Sequence, residues 1–357
     1  MSTTASHRGV TAEYLSGVLA ATSGRARLEI ESVTAIGTGQ MAESYRVVFK
    51  EDAARQLPKS VVVKVPSQNE SSRAASRATR CYELETSFYS VMRDHVEVNA
   101  PKCLHVWFDQ PNDDFVLVLE DIFNASQGDQ IAGASVDQAN AAIDELVKLH
   151  SPLWNSPKLD SFDWLPRQSA QTQAGIGDLL RSVFPIFAQR FEATVDDTVI
   201  RLGERLVANI ERYNSAFPKN ITVVHRDFRL DNLLFIKQKD SNNPYSVKVV
   251  DWQTVGALPG AADLGYFIGA SFNVDNRRKL EQGLVNRYHQ GLVAKKIEIS
   301  FDDLWSQYRL LGTSGYIMAI VASVLVKQTE RGDAMFAVMA NRHGQQMIDL
   351  ETEKLFA

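Results

Sequence analysis

Apolar positions recur along the chain in two rhythms, and the change from one to the other organises it. Up to about residue 120 the runs are short and close to alternating: Leu28 to Ile36, Tyr45 to Phe49, Ser60 to Val65, Lys102 to Phe108 and Phe115 to Leu119. Such runs predict half-buried strands. Two stretches in this part follow a helical period instead. Thr11 to Ala21 carries Tyr14, Leu15, Val18 and Leu19 on one face with Thr11 as cap, and Ser71 to Val91 carries Tyr82, Leu84, Phe88, Tyr89 and Val91. Beyond a Gly-containing linker, Asn124 to Gly133, helical periods dominate: Ser135 to His150, Asp196 to Asn214, Asn276 to Lys295, Phe301 to Lys327 and Ala334 to Leu350. The shift places a boundary near residue 123 and predicts two lobes, 1–122 and 123–357.

Composition narrows the picture. At 357 residues the chain can build two lobes with ample core. Net charge is −5, from 38 basic and 43 acidic residues, and no basic block stands out, so no nucleic-acid partner is expected. The cysteines, Cys81 and Cys103, form no CxxC pair and lie near no His at metal-ligand spacing, which reads as free thiols in a reducing compartment. The first residues lack the charged-then-apolar order of a signal peptide. The longest apolar stretch, Tyr316 to Val326, is too short to span a bilayer and reads as a buried core helix. A soluble, cytoplasmic protein with no membrane partner is expected, with oligomeric state unknown.

The candidate chemistry centres on Val223 to Phe235. Here His225, Asp227 and Asn232 stand in H-x-D-x-x-x-x-N order in a turn between apolar runs, as a phosphotransferase loop holds a base and a metal ligand over one reacting phosphate. A further apolar run, Val247 to Val250, delivers Asp251 at its end. Upstream, Gly37, Thr38 and Gly39 open a strand–turn–strand hairpin reaching Ser44, where backbone amides could approach phosphate oxygens because no Cβ intervenes. An ordinary hairpin turn is the competing reading. It is neither a Walker A loop nor a dinucleotide-binding fingerprint, since no Gly-Lys-Ser/Thr follows and a strand stands where a helix would be needed. Lys64 interrupts an apolar strand and must reach the surface or an anionic partner. Glu85 on the next helix is one candidate, Glu83 the other. The strand ending at Leu119, Glu120, Asp121 and Ile122 is a crossing point whose backbone could bind an adenine edge.

Other residues carry two readings each. His150 is either a catalyst or a packed helix-terminal histidine, the second being favoured. Trp154, Phe162, Trp164, Phe184, Phe187 and Phe191 are core or an aromatic wall for a ring-bearing substrate, core being favoured. Glu192, Asp196 and Asp197 could attract a polycation, though an exposed helix start explains them better.

With these landmarks in order, the chain resembles the kinase-like phosphotransferase superfamily of aminoglycoside and choline kinases, and within it most the ecdysteroid-kinase-like branch of small-molecule kinases. The likeness rests on Thr11 to Leu15, Gly37 to Gln40, Val63 and Lys64, Glu85 with Phe88 and Tyr89, Val118 to Asp121, Leu149 and His150, His225 to Asn232, Val250 to Gln253, and Asp263 with Leu264. Protein kinases share the His-Arg-Asp pattern, but the chain lacks their Asp-Phe-Gly and Ala-Pro-Glu segments. Relatives of the branch more often have Gly where Arg226 stands.

The resemblance implies an α+β, two-lobed protein-kinase-like fold: a small lobe with an antiparallel sheet and one main helix, and a larger, mostly helical lobe. It implies ATP and Mg²⁺ as cofactors and a small-molecule hydroxyl as acceptor. Asp227 would be the base; Asn232 and Asp251 would hold the metal; Arg229 would touch the transferred phosphate or form a surface salt bridge. Gly37, Thr38, Gly39, Ser44, Lys64, Glu85 and Glu120 would serve the nucleotide, while His225 and Asp263 would brace the loop. The aromatic stretch tilts the acceptor toward a partly apolar, steroid-like or polyketide-like alcohol, with an aminoglycoside or choline-type acceptor as alternative. A catalytically idle nucleotide-binding regulator is a further alternative, opposed by the presence of Lys64, Asp227, Asn232 and Asp251.

Overall fold

The alternating runs of the first third become one antiparallel sheet. The computed structural model describes residues 7–19, 28–37, 41–50, 58–239 and 243–356. Two compact units make up the chain: Met1–Arg93 with Ala100–Asn124, and Asp94–Asn99 with Ala125–Ala357.

In the first unit, β1 (Ile30–Ile36), β2 (Ala42–Phe49), β3 (Ser60–Pro66), β4 (Cys103–Asp109) and β5 (Asp114–Glu120) lie in the order β1-β2-β3-β5-β4. Period-two alternation sends Val61, Val63 and Val65 to one face. There they pack with Val47, Val116 and Val118, and with Leu15 of helix α1 (Ala12–Val18), whose first turn Thr11 caps. The expected single helix Ser71 to Val91 is two helices, α2 (Glu70–Thr79) and α3 (Cys81–Ser90). Arg80 sits between them in the left-handed conformation (φ 58°). The break separates a polar helix, in which only Ser76 is buried, from one that buries Tyr82, Leu84, Glu85, Phe88 and Tyr89.

The second unit is mostly helical. Ser135 and Gln138 close a capping box at the start of α4 (Val136–His150). There follow α5 (Ala170–Phe191), α6 (Asp197–Ala208), α7 (Ile210–Ser215), α8 (Ala261–Ser271), α9 (Val274–Ala294), α10 (Phe301–Leu311), α11 (Thr313–Leu325) and α12 (Glu330–Asp349). The expected helix Asp196 to Asn214 is therefore divided at Asn209, and Phe301 to Lys327 at Gly312. By length and composition alone Phe301–Leu325 could cross a membrane. The segment is two successive helices, α10 and α11, whose Leu310, Tyr316, Ala319 and Ile320 join one hydrophobic cluster with Phe184, Phe187, Phe191, Tyr266 and Met335. Short strands carry the chemistry. They are β6 (Ser126–Gln127), β7 (Thr222–Val224), β8 (Leu233–Lys237), β9 (Tyr245–Val249) and β10 (Gly256–Leu258), with β6 on β8, β8 antiparallel to β9, and β7 antiparallel to β10. The segment Asp94–Asn99 belongs here because Asn99 donates from its backbone to Glu145 Oε2 (2.7 Å) and from its side chain to Val247 O (2.9 Å).

Candidate active site

The turn between β7 and β8 is built around backbone groups that must all find partners. His225 settles two of them: its Nδ1 accepts from Asp227 N (3.3 Å), which makes Nε2 the donor to Val250 O at 3.0 Å. Asp263, at the start of α8, accepts from the backbone amides of His225 (2.6 Å) and Arg226 (2.8 Å) and contacts His150 Nε2 at 3.2 Å. His150 is fully buried, with Tyr288 Oη 2.7 Å from its Nδ1, so it braces the loop from behind. Arg226 adopts φ 67°, a costly conformation for a residue with a side chain. Its guanidinium makes no ion pair or hydrogen bond among the described residues and packs where a Cβ on Gly256 would reach its Cδ. Burial lowers its pKa, and the charge of Asp263 opposes that shift.

Asp227 emerges from this braced turn with donors converging on it. Tyr266 Oη donates to Oδ1 (2.7 Å), Asn232 Nδ2 donates to Oδ2 (2.9 Å), and Arg229 Nε lies 3.2 Å from either oxygen. Arg229 also donates from Nη1 to Asp231 Oδ2 (2.5 Å) and contacts Met335 Sδ. It is thus locked between two carboxylates in a part-buried pair, which replaces the surface salt bridge entertained from sequence. Burial works against its charge, yet Asp227, Tyr266 and Asp231 together raise its pKa.

Strand pairing sets Asn232 against Val250, the residue before Asp251. Leu233 pairs with Val249, and the ladder continues as Val250 N donates to Asn232 O at 3.0 Å. Because the Asn232 amide nitrogen is spent on Asp227 O and Oδ2, its Oδ1 is left as a ligand oxygen. Asp251 follows in the left-handed conformation (φ 68°), with Gln253 Nε2 on its Oδ2 at 3.1 Å. Among the described residues no three His, Cys, Asp or Glu side chains gather into a metal-binding group. One carboxylate and one amide oxygen fit Mg²⁺, a hard cation that keeps water and phosphate oxygens in its shell, and do not fit a dedicated all-protein cage.

In the first unit, Lys64 meets Glu85 at 2.9 Å (Oε1) and 2.6 Å (Oε2), and Glu85 is only 2 % exposed. Glu83 instead pairs with Arg80 near the surface, which decides between the two candidates. Ser44 stands opposite Lys64 in the β2–β3 ladder, and Gly37 ends β1 with φ 74°. Thr38 and Gly39 lie outside the described residues. Glu120 accepts from Lys102 N through Oε1 (2.8 Å). Phe184, Phe187 and Phe191 are buried in the helical core, so they form no aromatic wall. Asp196 and Asp197 are exposed around the start of α6, as is Glu192 just after α5.

Two contributors escaped the sequence reading. Tyr266 is one. Gln130 is the other: almost fully buried, it accepts from Leu230 N, donates from its backbone to Asp231 Oδ1 (3.0 Å), and reaches Ala270 O. Both act across long sequence separations, and no local pattern announces them.

The comparisons with known proteins agree with this geometry. A model described as the ecdysteroid kinase-like family matches residues 37–300. No curated protein matches the chain. Among solved structures, a choline kinase from Cryptosporidium parvum Iowa II is similar at TM-score 0.65 and 12 % identity, over 97 % of this chain and 98 % of that one. A Plasmodium vivax ethanolamine kinase is similar at 0.53 and 11 %, over 99 % and 91 %. A GDP complex of an aminoglycoside 2′-phosphotransferase is similar at 0.51 and 14 %, over 96 % and 97 %. At such identities these likenesses show the two-lobed kinase-like fold.

Proposed function

Since the chain belongs to the ecdysteroid kinase-like family of small-molecule kinase-like phosphotransferases, we propose that it transfers the γ-phosphoryl group of ATP, with Mg²⁺, to a hydroxyl of a small, partly apolar molecule. The observation that carries this reading is the Asp227 carboxylate, held by Tyr266, Asn232 and Arg229, with Asp251 following directly on Val250, the strand partner of Asn232. Asp227 takes the proton of the acceptor hydroxyl as the oxygen bonds to the γ-phosphorus. The bond from that phosphorus to the β–γ bridging oxygen breaks, and ADP leaves with the electron pair. Asn232 Oδ1 and the Asp251 carboxylate would hold Mg²⁺, which supplies neutralisation of phosphate charge when bound. Lys64, oriented by Glu85, would hold the α and β phosphates. Arg229 keeps Asp227 and Asp231 from repelling one another and is too committed to both to serve mainly as a phosphate ligand.

The apolar acceptor no longer rests on Phe184, Phe187 and Phe191. Its support is the half-buried Ile317, Met318 and Val321 of α11, which pack on the cluster that also contains Tyr266 and Met335. A polycationic aminoglycoside finds less support, since among the described residues Glu192, Asp196 and Asp197 make no hydrogen bond or ion pair to the catalytic turn, and the Asp196 amide donates instead to Asn341 Oδ1. The GDP complex of the aminoglycoside-phosphotransferase neighbour makes GTP the donor to compare with ATP. The test is a phosphate-transfer screen over sterol-like, polyketide-like, amino-alcohol and aminoglycoside acceptors with ATP or GTP and Mg²⁺. Transfer to an apolar alcohol that disappears in Asp227→Asn is expected. Nucleotide binding without transfer to any class would leave the idle regulator as the better reading.

A further inference from the structure

Asp227 offers about four lone-pair positions, and three donors are already fixed on it. Asn232 Nδ2 (2.9 Å) and Arg229 Nε (3.2 Å) donate to Oδ2 and Tyr266 Oη (2.7 Å) donates to Oδ1; Arg229 Nε is also 3.2 Å from Oδ1, but its hydrogen bond goes to Oδ2. From this geometry, and resting on the kinase reading above, we infer that Tyr266 is a positioning residue: it fixes Oδ1 as the oxygen that receives the acceptor proton and sets the direction of the lone pair left on it. Tyr266 is itself immobilised. It is 2 % exposed, and the His343 ring lies 5.6 Å from its own, centroid to centroid. A Cβ on Gly269, one turn further along α8, or on Gly315 of α11 would collide with His343, so three helices close around this tyrosine. Burial first, and the Asp227 charge second, raise the phenol well above its usual pKa, so it remains a donor throughout the working range.

A tyrosine that merely filled space would lose little when its hydroxyl was removed. A tyrosine that aims the base changes chemistry through that base. The experiment uses the full chain, with turnover of MgATP measured against water and the alcohol panel as acceptors, in wild type, Tyr266→Phe, Asp227→Asn and the double variant. Tyr266→Phe should lower kcat by about 10-fold and leave KM for MgATP within about twofold, because the base is misaimed while the nucleotide is still held. The double variant should be no slower than Asp227→Asn alone. Full activity in Tyr266→Phe, or effects that multiply in the double variant while Asp227→Asn is impaired, would overturn the inference and leave the kinase reading standing. Undiminished turnover in Asp227→Asn, or no transfer by wild type, would overturn the kinase reading and the inference with it. If Tyr266→Phe does not fold, fluorotyrosine placed at 266 keeps the ring and donates more strongly. Because the donor is kept, kcat should then stay within about twofold of wild type, and a loss of about 10-fold overturns the inference.

Discussion

Lys64 and Glu85 stand 21 positions apart and meet through both carboxylate oxygens, the ammonium lying 2.9 Å from Oε1 and 2.6 Å from Oε2. Breaking a buried ion pair is costly, so Glu85→Ala should cost about 3–5 kcal/mol of stability and weaken ATP binding. Glu83→Ala, which breaks an exposed pair with Arg80, should cost about 1 kcal/mol or less and leave ATP binding unchanged. Chemical denaturation and nucleotide titration of the two variants check this. Equal effects would mean that the pair does not orient Lys64.

Asp251→Asn keeps the side-chain shape, and Asn tolerates the left-handed backbone (φ 68°) at least as well as Asp. The melting temperature without ligand should therefore hold, with stability changed by less than about 0.5 kcal/mol. Removing the carboxylate charge should abolish Mg²⁺-dependent turnover and the Mg²⁺-dependent part of nucleotide stabilisation. Thermal melts with ATP, with and without Mg²⁺, read both, and undiminished turnover at saturating Mg²⁺ would remove Asp251 from the metal site.

Glycine to alanine within a helix usually stabilises by about 0.5–1 kcal/mol. Gly283 in α9 has open space around it and should follow that rule. Gly315 should reverse it, since its new Cβ would lie 2.1 Å from the His343 ring, and overpacking there should cost about 1–3 kcal/mol. Urea midpoints of Gly283→Ala and Gly315→Ala should move in opposite directions.

His343 gives the fold a pH dependence of known sign. Burial lowers its pKa to about 4; a hydrogen bond with Gln346 opposes the shift, and the charges of Arg342 and Arg277 add to it. The unfolded chain therefore takes up a proton near pH 6.5 that the folded one refuses until about pH 4. Stability is full above the unfolded value and falls as the pH drops from about 6.5 toward 4. The fall between pH 7 and 4.5 should be smaller in His343→Gln than in wild type, and identical slopes would rule out His343 as the source.

What could be read from sequence was what is contiguous. His225, Asp227, Asn232 and Asp251 lie in one turn and one hairpin, so their order alone located the candidate site. Lys64 stood out as a charge inside an apolar strand that needed an anionic partner or the surface, although only the structure chose Glu85 over Glu83. The break at Arg80 was illegible because neither Gly nor Pro marks it. At Gly312 a glycine was present, but it keeps right-handed helical angles (φ −54°, ψ −24°) and the helical period runs on either side of it, so the pattern did not show the division. Tyr266 reaches Asp227 across 39 positions, while the phenylalanines of α5 are core, the reading favoured over a binding wall.

The hydrophobic cluster of the second unit also sets an order of events during synthesis. Its members run from Leu180 through Tyr266 and Tyr316 to Met347 and Phe356. The sheet of the first unit, by contrast, is complete once Glu120 has been made. As the chain leaves the ribosome, that sheet can close while more than half of the polypeptide is still untranslated. Tyr266 and the catalytic turn must wait, half-covered, until α12 emerges to bury them. A ribosome stalled between residues 270 and 330 would thus display a folded first unit joined to a greasy, unclosed second one, and chaperones that bind exposed apolar helices would find their target there.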